Sequence, residues 1–85
     1  MNVSVEISMY PLADEFIPAI QGFIDDLNTH NGIKVVTNTM STQVFGDYAE
    51  VLRIVSQCMQ KAHETMPKAP FVMKVLNGDL SPQEG

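Results

Sequence analysis

From Val3 to Tyr10 the chain alternates without a break: Val3, Val5, Ile7 and Met9 are apolar, while Ser4, Glu6, Ser8 and Tyr10 carry hydrogen-bonding groups. A period of two belongs to a β-strand, whose successive side chains point to opposite faces of a sheet. Such a strand needs an apolar layer on one face and a different environment on the other. The polar face draws attention because a carboxylate flanked by two hydroxyls exceeds what contact with water requires. With only Met1 and Asn2 before it, this strand is expected to open the fold.

A chain of 85 residues is one domain, able to bury only roughly 60 to 65 per cent of its unfolded surface. Yet 45% of its residues are hydrophobic and 18% charged, an apolar supply that favours burial between subunits as well as within one. A homodimer or homotetramer is expected. Ten acidic residues against five basic ones give a net charge of -5, and Lys34, Arg53, Lys61, Lys68 and Lys74 are scattered. Without a basic stripe a phosphate backbone meets repulsion, which argues against nucleic acid, whereas a cationic small molecule is weakly attracted. Cys58, the single cysteine, reads as a small buried hydrophobe in a reducing compartment. No stretch approaches a membrane span and no basic-then-apolar leader is visible, so a cytoplasmic location is expected.

Pro11 ends the first strand, and Asp14 and Glu15 stand where acids complement the positive end of a helix. The spacing of Phe16, Ile17, Ile20, Phe23, Ile24 and Leu27 predicts one buried helical stripe, closed by Asn31 and Gly32. Ile33 to Asn38 and Met40 to Phe45 are predicted strands, and so short a connection joins antiparallel neighbours in a hairpin. Gly46 and Asp47 break the third strand. Asp47 and Glu50 then form an acidic capping pair for a second helix with the stripe Tyr48, Val51, Leu52, Val55, Met59, Ala62 and Met66. A Pro67 to Pro70 linker leads to a fourth strand, Phe71 to Leu76. The domain spans residues 1–78, and 79–85 have the composition of a flexible tail.

The order β-α-β-β-α-β is that of a ferredoxin-like α+β sandwich: a four-stranded antiparallel sheet with two helices on one face. Right-handed crossovers put the first and third strands in the centre. The second, third and fourth strands carry apolar residues of both parities, so the helix-free face is expected to be covered by a second copy, a ligand or both. On that face Glu6 and Lys74 are expected to be neighbours, either as a cross-strand ion pair or with Glu6 as an acceptor for a ligand amine. Ser41 and Thr42 are expected beside them, hydroxyls that can both donate and accept. Tyr10 offers a ring to stack on a flat heterocycle or to pack at a subunit contact. His30 and His63 have no Cys, Asp or second His at ligand spacing, so no metal is expected. The methionines Met9, Met40, Met59, Met66 and Met73 read as packing. No nucleophile elbow, phosphate loop or triad is present, and no arginine falls on a strand to hold a phosphate, which argues against a hydrolase on this fold.

Two segments, Val5-Glu6-Ile7-Ser8-Met9-Tyr10-Pro11-Leu12 and Met40-Ser41-Thr42-Gln43-Val44-Phe45-Gly46-Asp47, together resemble the YkoF-like thiamin/hydroxymethylpyrimidine-binding family and its single-domain relatives. The likeness extends in outline over residues 3–76; the last strand runs Lys74-Val75-Leu76-Asn77 where lysine, isoleucine, aspartate is more usual. The resemblance implies a ferredoxin-like protein that oligomerises through its sheet and binds thiamin or its pyrimidine part without a chemical step or further cofactor. The positions it implies are Glu6, Ser8, Tyr10, Ser41 and Thr42. The alternative is a small scaffolding or regulatory module whose open face serves self-association or docking of a protein partner.

Overall fold

A computed structural model describes residues 1–12, 14, 16–66 and 68–82. The elements are β1 (Asn2–Met9), α1 (Ile17–Asn28), β2 (Lys34–Thr37), β3 (Thr42–Asp47), α2 (Tyr48–Thr65) and β4 (Phe71–Asn77). They form one antiparallel sheet in the order β2-β3-β1-β4, the predicted ferredoxin-like sandwich. β1 is central, with β3 on one side and β4 on the other.

Alternation in β1 sets the layers. Val3, Val5, Ile7 and Met9 are buried against the helices, where Val44 of β3, Phe23 and Leu27 of α1, and Val51, Ile54, Val55 and Cys58 of α2 complete one core. Fully burying an aliphatic side chain of this kind contributes about 1.5–3 kcal/mol. Gly46 of β3 sits on the same face, opposite Val3, and permits the close approach of α2. A Cβ there would lie 3.1 Å from the Val51 side chain and 3.3 Å from the Gly32 carbonyl. It is a packing glycine inside the strand, whereas the sequence suggested a strand breaker.

α2 starts as expected, with the Asp47 carboxylate accepting from the Glu50 amide at 3.2 Å, and with Arg53 bonded to Glu50 on the exposed surface. That guanidinium holds the Glu50 carboxyl below its ordinary value. Ile54 replaces Tyr48 in the buried stripe because the core-facing line runs through positions 51, 54, 55 and 58. α1 begins later than the sequence suggested. Pro18 stands in its first turn, no acid lies in that turn, and Phe16 and Ile17 are exposed rather than buried; Glu15 lies outside the described residues. At the other end Thr29 caps the helix, and only Gly32, not Asn31, takes positive φ on the way into β2.

Cys58 is buried between the helices, and burial, with the Asp26 carboxylate beside it, pushes its thiol up to about 12. His63 donates from Nε2 to the Ala69 carbonyl at 2.8 Å, and its ring meets Phe71 edge-on. Among the described residues no helix is long and apolar enough to cross a membrane.

Candidate functional site

On the helix-free face of the sheet the same alternation presents Ser4, Glu6 and Ser8 of β1. Residues paired across an antiparallel ladder share a face, so Glu6 brings Gln43 of β3 and Lys74 of β4 with it. Lys74 Nζ lies 3.5 Å from Glu6 Oε1, and the Ser41 hydroxyl donates to Glu6 Oε2 at 3.1 Å. Glu6 is thus held from two sides, yet its side chain keeps 43% exposure and that of Lys74 keeps 80%. An ion pair so wet is worth about 0–1 kcal/mol and is readily exchanged for another partner.

Ser41 owes its place to a residue that the sequence did not single out. The Asn38 side-chain oxygen accepts from the backbone amides of Met40 and Ser41, at 2.8 and 3.0 Å, and the Asn38 backbone N–H donates to the Ser41 carbonyl at 3.0 Å. This Asx-type closure of the β2–β3 hairpin aims the Ser41 hydroxyl at Glu6. The signal was legible as an asparagine between two β-rich runs.

Glu6, Ser8, Tyr10, Met40, Ser41, Val72 and Lys74 line one groove of about 290 Å³. Four of the five expected site residues therefore meet around Glu6. Thr42 does not. It pairs with Ile7, is buried on the helix side, and its hydroxyl lies 3.4 Å from that of Thr37. Neighbours in an extended chain face opposite ways, so Ser41 and Thr42 cannot both reach Glu6. Met40 differs from its expected packing role too: it is exposed on the hairpin, at the rim of the groove.

The other half of this face is crossed by the chain itself, which leaves a second groove of about 340 Å³, lined in part by Glu6, Gln43, Phe45, Lys74 and Leu80. After β4 the Ser4 hydroxyl donates to the Gly78 carbonyl at 2.7 Å and accepts from the Leu80 amide at 2.9 Å. Lys34 Nζ then donates to the Pro82 carbonyl at 3.1 Å. Ser4 and Lys34 flank Phe45 in the sheet, so residues 78–82 pass over that ring as a strap. Phe45 is buried on what would otherwise be the open face. The Asp79 carboxylate accepts from the Ser81 amide at 2.9 Å, and hydrogen bonding from Ser81 holds Asp79 below its ordinary value. Ser4 is therefore a structural member of the polar stripe, while Glu6 and Ser8 remain accessible.

A family model for thiamine-binding proteins matches residues 5–78, which include both strands of the groove. The chain belongs to the thiamine-binding protein family. Its fold is shared with SP2199 of Streptococcus pneumoniae, with a TM-score of 0.85 at 22% identity over 94% of this chain and 90% of that one. MJ1052 of Methanocaldococcus jannascii is similar at a TM-score of 0.78 and 20% identity, covering 95% and 84%. TM0486 of Thermotoga maritima, described as a candidate thiamine biosynthesis or salvage protein, matches at 0.69 and 17% identity, covering 88% and 82%. No curated protein was found to match the chain.

Proposed function

We propose that the groove around Glu6 binds thiamine or its hydroxymethylpyrimidine part, without chemical conversion, next to a subunit interface. One observation carries this reading: a half-exposed carboxylate, held by Ser41 and Lys74, stands on a sheet floor shared with Ser8, Tyr10 and apolar Val72. An aminopyrimidine offers an amine donor and ring-nitrogen acceptors on one flat edge. Glu6 would accept from the amine, the hydroxyls of Ser8 and Ser41 would donate to ring nitrogens, and Tyr10 would stack on the ring. Lys74 would leave Glu6 as the ligand enters. The net charge of -5 favours a cationic ligand such as thiamine.

Val72 and Leu76 lie exposed on the same face of β4, and a second copy of the chain covering them would wall the groove. The reduced thiol of Cys58 suits a cytoplasmic protein. A second reading, a scaffolding module without a small ligand, draws on β4 itself, an edge strand whose Met73 and Val75 are exposed on the other face as well.

Isothermal titration with thiamine and with hydroxymethylpyrimidine separates the two. Heat with at least one of them, at one ligand per chain, is the expected result, and no heat with either at millimolar concentration overturns the binding reading. An oligomer by sedimentation that takes up neither ligand would favour scaffolding. Glu6→Gln should weaken binding at least tenfold; unchanged affinity would remove Glu6 from the site.

A further inference from the structure

On the opposite side of the sheet from the groove, the two helices bring together three side chains of metal-ligand type. Asp26 in the last turn of α1 and His30 just beyond its end are four residues apart, and Cys58 faces them from α2. A carboxylate oxygen of Asp26, a ring nitrogen of His30 and the Cys58 sulfur all lie within 4.8 Å of one another. The sequence reading found no Asp at ligand spacing from His30, but Asp26 stands four residues before it; spacing hid only Cys58, which follows after the whole β2–β3 hairpin. We propose that Asp26, His30 and Cys58 form a binding site for a borderline-soft divalent cation of the zinc class, with water as the fourth ligand.

Three features argue for it beyond proximity. The donor set mixes sulfur, nitrogen and oxygen, which suits zinc and its neighbours and disfavours magnesium or calcium, whose ligands are oxygens. His30 Nδ1 lies 3.0 Å from the Asp26 backbone carbonyl. An Nδ1–H donated there leaves Nε2 as the ligand atom and fixes the ring by an outer hydrogen bond of the kind metal-bound histidines make. Finally, the cluster stands at the C-terminal, negative end of α1, whose last turn contains no basic residue.

Ligand bonds of about 2.0–2.3 Å in a tetrahedral centre put donor atoms roughly 3.5 Å apart, so small side-chain adjustments close the set. Lys61 Nζ, 3.5 Å from Asp26 Oδ1, is the present counter-charge; its side chain is largely exposed and can swing into water. A cavity of about 190 Å³ between the helices reaches Asp26, Cys58 and Lys61, though not His30, and so opens the Asp26 and Cys58 side of the cluster to solvent. Binding exchanges one proton for the metal: the Cys58 S–H bond breaks, a sulfur–metal bond forms, and the proton passes to solvent. Thiolate and carboxylate then balance the dication.

The test is an anaerobic titration of the full chain with cobalt(II). Because Cys58 is the one cysteine of the chain, a near-ultraviolet sulfur-to-cobalt band can arise nowhere else. The expected result is that band, with tetrahedral visible absorption, saturating at one equivalent, reversed by zinc, and releasing one proton per ion. Cys58→Ser should abolish the band. His30→Ala, at a partly exposed position, should weaken cobalt binding at least tenfold, whereas His63→Ala should leave it unchanged. No sulfur band at tenfold excess of cobalt, or undiminished affinity in His30→Ala, overturns the proposal.

Discussion

The two faces of β1 carry residues one position apart under opposite demands. On the helix side Val3, Val5 and Ile7 are sealed into a core with no more than 1% exposure; on the other side Glu6 keeps a half-exposed carboxylate held by Ser41 and Lys74. Because the strand period is two, neither set constrains the other's chemistry. The helix face can be optimised for burial, while the groove face tolerates polar and replaceable contacts. Within the groove face a second contrast appears. Ser4 is committed to the strap of residues 78–82, and Glu6 and Ser8, further along the strand, line an accessible groove.

Substitutions in β1 separate the two faces. Ile7→Ala should cost about 2–5 kcal/mol in chemical denaturation, through lost burial and the cavity left behind. Glu6→Gln, by contrast, should move stability by no more than about 0.5 kcal/mol, because its ion pair is wet. Equal losses for the two would mean that the polar face is structural as well. At the start of α2, Asp47→Ala should cost about 1 kcal/mol, by removal of the bond to the Glu50 amide. Ser4→Ala should cost roughly 1 kcal/mol and speed hydrogen exchange at the Leu80 amide, because the strap loses its two bonds to the Ser4 hydroxyl and keeps on β1 the Gly78 amide bond to the Asn2 carbonyl, at 2.8 Å. If Leu80 exchange is unaltered, the strap is held by something other than Ser4.

A further prediction concerns pH. The Cys58 thiol is raised in the folded chain to about 12, above the value of about 8.5 expected when unfolded. The folded state therefore holds its proton longer, and stability from this group is full below about pH 8.5 and declines as pH rises towards 12. Comparison of wild type with Cys58→Ala across pH 8 to 10.5 isolates the contribution: wild type should lose stability more steeply. Parallel curves would show that the thiol is not shielded in the folded chain.

The layers were legible because period-two and three-and-four spacings report burial directly. Val3 to Met9 and the Asp47 cap follow from local pattern, and the neighbourhood of Glu6 and Lys74 follows from strand parity once the topology is set. What the sequence misplaced depended on geometry at element ends. Thr42 was grouped with Ser41 by residue type, although the alternation that located Glu6 also sends Thr42 to the helix side. Phe16 and Ile17 continue the apolar spacing of α1, but Pro18 sets the helix start too late for either to reach the core. The strap and the place of Cys58 were hidden for another reason: each joins segments distant in the chain, whereas Asp26 and His30 stand four residues apart, a local spacing that the sequence reading passed over.

In the proposed binding mode the exposed half of the polar face of β1, and not the helix layer, meets the ligand. Backbone amide NMR during titration with thiamine tests it most directly. The expected result is a set of saturable shifts at Glu6, Ser8, Tyr10, Ser41 and Lys74, with Val51, Ile54 and Cys58 of α2 unmoved. Shifts centred on α1 and α2, with Glu6 and Ser41 silent, would contradict it.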